Sequence, residues 1–152
     1  MPVKEIPRFL LGILEQYPND PYLASSVAST LGSNFKKKDL AFEIYHAFLA
    51  RWNGPIPQLM EYASGGRCRF NFKSAGGDFY MTWRMASMLF KELEKHGTLI
   101  EAADIAPTVS RMSSAIIDSL DTCGNLPKSN ANLYTNAVKL LELSNSCIEE
   151  HK

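Results

Sequence analysis

Glu43 and His46 stand three residues apart in a segment with helical spacing, so a carboxylate and an imidazole would share one helix face and could ligate a single ion. A carboxylate-bridged metal pair needs that motif twice, with further carboxylates. Glu92, Glu94 and His96 are the nearby alternatives and have the wrong spacing, so the plain reading is a surface Glu/His pair. Three histidines leave little scope for a nucleophile with its base, and no GxSxG, QAC or HExxH string is present. Cys68, Cys123 and Cys147 are odd in number and widely spaced, which fits neither a disulfide framework nor a CxxC zinc pair. Reduced thiols follow, with Cys68 and Cys123 serving as small apolar residues. The residue chemistry therefore predicts a protein that is not an enzyme and holds neither metal nor cofactor.

The remaining chemistry lies between Gly65 and Trp83. Cys68, Phe70 and Phe72 alternate with Arg67, Arg69, Asn71 and Lys73, the pattern of a half-buried strand with one apolar and one basic face. Gly65-Gly66 and Gly76-Gly77 lack the GxxxxGK[ST] and GxGxxG arrangements that cradle phosphate, so they read as turn glycines. Gly76-Gly77-Asp78 then closes an antiparallel hairpin of about 67–73 and 79–83. Arg67, Arg69 and Lys73, with Tyr80 across from them, are the candidate binding residues. Cations interleaved with an aromatic can hold single-stranded nucleic acid by phosphate contact and stacking. The same face can equally be a solvated edge that discourages strand pairing.

The elements around this stretch are helical. Ile6, Phe9, Leu10, Ile13 and Leu14 predict a first helix over 6–17, and Asp20-Pro21 with Gly32 bound a second over 21–31. Leu40, Ala41, Ile44, Tyr45, Phe48, Leu49 and Trp52 make a wide stripe on a third, closed by Asn53-Gly54-Pro55. A short fourth helix is expected over 57–62. Phe79, Met81 and Trp83 alternate as in a strand, while Phe79, Trp83, Ala86, Phe90 and Leu93 fit a helix; the reading taken is a short strand turning helical near Arg84. Further helices are expected from there to His96, from Asp104 to Cys123 with Pro107 in the first turn, and from Asn130 onward. Residues 19–50 loosely resemble one tetratricopeptide-type helical hairpin, but the plain reading is an ordinary antiparallel pair.

At 152 residues the chain fits one domain, 1–152, large enough to bury a core without staples. Sixteen Lys and Arg balance sixteen Asp and Glu, so no global field draws it to nucleic acid or anionic lipid. Neither a signal peptide nor an apolar run of about 18 to 20 residues stands out, and a cytoplasmic protein without membrane contact is expected.

Ser64-Gly65-Gly66, Phe70, Ser74, Gly76-Gly77 and Phe79-Tyr80-Met81 resemble the central hairpin of the plasmid antirestriction family that includes ArdB and KlcA, with Asp78 as an apparent insertion. The resemblance spans residues 64–81. It implies a small cytoplasmic α+β protein of a mobile element that blunts type I restriction through protein contacts rather than by catalysis. It carries over no catalytic residues.

The expectation is thus a mostly helical α+β domain, five to seven helices around the small hairpin. Its function is expected to be that of a non-enzymatic regulator or inhibitor that binds another protein, with nucleic acid held by Arg67, Arg69 and Lys73 as the alternative.

Overall fold

A computed structural model describes residues 3–63, 67–70, 77–96, 99–122 and 130–150. A 3-10 turn at Val3–Glu5 leads into α1, Ile6–Gln16, with Pro7 in the first turn, where a missing N–H costs nothing. Asp20 caps α2, Pro21–Ser33, its Oδ1 accepting from the backbone N–H groups of Tyr22 at 3.0 Å and Leu23 at 3.1 Å. The turn out of α2 puts Lys36 in the left-handed region at φ 55°. It is tied by the Lys37 N–H donating to the Leu31 carbonyl at 2.9 Å.

Next comes α3, Lys38–Arg51, whose stripe of Ala41, Ile44, Tyr45, Phe48 and Leu49 is buried as its spacing requires. Residues 52–59 have no regular structure. Then follow α4 over Gly77–Lys95, α5 over Leu99–Thr122 and α6 over Ala131–Glu150. Pro107 lies well inside α5, not in a first turn. It is on the exposed side, where the carbonyl it strands can face water.

The core lies among α2, α3, α4 and α5, with α6 laid along α5. Leu31, Leu49, Leu59, Leu89, Ile105, Met112 and Ile116 are fully enclosed. Each such side chain contributes about 1.5–3 kcal/mol of transfer free energy. Through Ala137, Leu140, Ser144 and Cys147, α6 closes the far side.

The expected α+β fold is corrected. Residues 79–83 are not a strand: they lie within α4, and no hairpin of 67–73 with 79–83 forms. The architecture is helical, six α-helices among the described residues. The only extended pairing there is a four-residue ladder, β1 over Met60–Ala63 against β2 over Arg67–Phe70, antiparallel with Glu61 opposite Arg69 and Tyr62 opposite Cys68. It is too small to organise the core.

The physical reason is period. Phe79, Trp83, Ala86 and Phe90 are all buried, together with Thr82, Met85 and Leu89, and that stripe runs over about three turns. The competing alternation covers three residues, two of which, Phe79 and Trp83, are also an i, i+4 pair. Asp78 sits in the first turn of α4, where a carboxylate is favoured by the helix dipole, not at a hairpin tip. The short helix expected over 57–62 is also replaced, by irregular chain and β1. The apolar strand face of Cys68, Phe70 and Phe72 was expected to cover the helices: Phe72 lies outside the described residues, and for the other two only the backbone is described.

Candidate binding surface

Three depressions cross one side of the molecule and share their walls. The largest, about 620 Å³, lies between the start of α2, the end of α3, the 52–57 segment and the start of α4. Its aromatic walls are Tyr22, Phe48, Trp52 and Phe79, and Asn19, Arg51, Asn53 and Asp78 supply polar groups. A second hollow of about 530 Å³ is shared by Tyr17, Pro18, Tyr22 and Asp78. The third is an apolar groove of about 400 Å³ between α1 and α3, reached through Pro18 and Arg51. Asn19, Pro21, Tyr22 and Asp78 belong to both of the first two, and Phe48 and Arg51 to the first and third, so the concave surface is continuous.

Local chemistry sets each wall. The Asp20 cap fixes the first turn of α2 and with it Tyr22, whose hydroxyl occupies the space a side chain at Gly77 would need. Arg51 donates to the Pro18 carbonyl at 2.8 Å and ties the end of α3 to the α1–α2 turn. Thr108 Oγ1 donates to the Leu49 carbonyl at 3.2 Å, joining the Trp52 N–H that caps the end of α3 on the same oxygen at 3.3 Å. Trp52 stands against Phe79 with centroids 6.5 Å apart and rings tilted by 53°. Gly54 passes so close to the Trp52 indole that a Cβ there would fall 2.7 Å from its Nε1. The walls are pinned, and the large aromatic groups exposed at the rim are Tyr17 at 60% and Tyr22 at 50% exposure.

Tyr80 is on α4, half-buried, with the Arg84 guanidinium 5.8 Å from its ring centroid. It does not face Arg67 and Arg69 across a hairpin. Those two occupy alternate positions of β2, opposite Ala63 and Glu61, and Lys73 lies outside the described residues. Glu43 and His46 part company as well, since Glu43 lines the apolar groove while His46 Nε2 is 3.3 Å from Asp104 Oδ2 on α5. Among the described residues no group of three His, Cys, Asp or Glu side chains could hold a metal ion, and no helix is long and apolar enough to cross a membrane. Cys147 is a buried thiol on α6, its pKa pushed up by that burial and secondarily by Glu150.

Sequence reasoning passed over Tyr17, Tyr22, Trp52 and Arg111. The signal was there: two tyrosines flank the turn Pro18-Asn19-Asp20-Pro21, and Trp52 precedes Asn53-Gly54-Pro55. The first string was read only as the end of one helix and the start of the next, and the second only as a helix stop. No family model matches the chain, and comparison with curated proteins and with solved structures likewise returned no match.

Proposed function

We propose that the protein is a non-enzymatic binding module that docks another protein across the surface running from the α1–α3 groove, over Tyr17 and Tyr22, to the Trp52 cleft. The observation that carries this reading is the exposure of two tyrosines on either side of one hollow, beside a rigid aromatic cleft. Tyrosine is enriched among residues that dominate interface energies, because a large rigid ring is ordered at small entropic cost. A regulator or inhibitor works by such occupancy. Interference with host restriction was the most specific form of this expectation, and it leaned on a hairpin that the fold replaces with the start of α4. The broader reading is the one advanced.

The test is affinity capture from extracts of the producing cells by the wild-type protein and by Tyr17→Ala/Tyr22→Ala, with circular dichroism confirming equal helicity. The expected result is a discrete protein retained by the first and lost with the second. Equal retention by both would count against this surface. Salt-sensitive binding of labelled single-stranded or duplex nucleic acid, unaffected by the tyrosine changes, would favour the basic strand instead.

A further inference from the structure

The groove between α1 and α3 is incomplete on its α1 side. A surface helix normally buries the leucines it turns inward, yet among the described side chains of α1 only Pro7 is buried, while Leu11 and Leu14 pack on the core half-covered. Opposite them Leu40 is also half-covered, Ile44 is buried, and the small Ala47 is exposed, so a partner could approach the α3 backbone closely there. A volume of about 400 Å³ has room for a few apolar side chains of a segment lying along the two helices. Glu15 on α1 and Glu43 on α3 line the groove, both exposed. Arg51, the cation among the lining residues, stands where α3 ends and donates to the Pro18 carbonyl. The lining charge is thus one excess negative, with one carboxylate contributed by each helix.

We infer that this groove takes an amphipathic helix from the partner protein, with leucine-like anchors at i, i+3 or i+4 and lysine or arginine beside them to meet Glu15 and Glu43. The inference rests on the protein-binding reading and names the chemistry of the docked segment. Apolar anchors supply affinity, and the flanking cations set which helix is accepted. A helix flanked by carboxylates would fit the same volume and be repelled at both walls.

Two synthetic helical peptides with the same leucine stripe, one flanked by lysine and one by glutamate, test this by fluorescence anisotropy at low and high salt. Wild-type protein should bind the lysine peptide about tenfold more tightly, and the gap should narrow with salt. Glu15→Lys/Glu43→Lys should reverse the preference. Ala47→Phe fills the groove from an exposed position and should abolish binding of both peptides, with circular dichroism confirming unchanged helicity. Equal binding of the two peptides, no binding of either, or full binding to the Ala47→Phe protein would each overturn the inference. Self-association of the wild type that Ala47→Phe removes would overturn it too, by assigning the groove to a second copy. The two readings fail separately. Capture that depends on Tyr17 and Tyr22 but not on Ala47 sinks the groove and leaves the surface. Reversal of the peptide preference, with capture indifferent to the tyrosines, sinks the surface reading and leaves the groove.

Discussion

The Arg111 guanidinium lies 4.5 Å from the centroid of the Trp52 ring and donates to the Gly54 carbonyl at 3.0 Å. One side chain of α5 therefore holds both the aromatic wall of the cleft and the irregular chain that follows it. Because Trp52 also meets Phe79, the exit of α3, the start of α4 and the middle of α5 are joined at one point.

Replacing Arg111 with Ala removes the ring contact, worth about 0.5–2 kcal/mol, and a charge-assisted hydrogen bond of about 1.5–3 kcal/mol. Exposure of the hydrogen bond places the net loss toward the lower end, about 2 kcal/mol, measurable as a shift of the urea midpoint. Arg111→Lys keeps the charge but not the planar fork, and should recover less than half.

Gly54→Ala should be destabilising although the residue is not helical. The added methyl meets Trp52 Nε1 at 2.7 Å and Cε2 at 2.9 Å, so the indole must move off Phe79 or out from under Arg111. The expected cost is about 1–3 kcal/mol by chemical denaturation, typical of overpacking. It should be smaller in an Arg111→Ala background, where the indole is already loosened.

Ser113 is fully buried, and its hydroxyl has no hydrogen-bond partner among the described residues. Ser113→Ala removes a desolvated polar atom without opening a cavity, and should raise stability by about 1 kcal/mol. A thermal melt showing a loss instead would mean that the hydroxyl is satisfied by water within the folded protein.

Burial holds the Tyr45 phenol above its ordinary value near 10, against a smaller opposing pull from Arg84. Since the folded state holds the proton longer, the unfolded chain ionises first as pH rises. The associated stability is complete below about pH 10 and is lost as pH climbs through the folded value. The hydrogen bond from Tyr134 to Asp121 shifts a second phenol in the same direction. Melting temperatures between about pH 9 and pH 11 should therefore fall, and fall less steeply in Tyr45→Phe.

The helices were legible in the sequence wherever a cap and a long stripe agreed. Asp20-Pro21 marked the start of α2, and the stripe from Ala41 to Leu49 marked α3. The misread segment that changed the fold class was Phe79 to Trp83, where two periods coincide over three residues and only the burial of Ala86, Leu89 and Phe90 farther along decides between them. The candidate surface was illegible for a different reason. Tyr17, Tyr22 and Trp52 are separated in the chain and are joined by the Arg51–Pro18 tie and the Arg111–Trp52 contact, both long-range pairings that no local pattern announces.

The most direct measurement replaces Tyr17, Tyr22 or, as a control, the exposed Lys139 of α6 with a photo-crosslinking amino acid and irradiates the producing cells. The account predicts one shared crosslinked protein from positions 17 and 22 and none from position 139. Silence at 17 and 22, or the same product from all three positions, would contradict it.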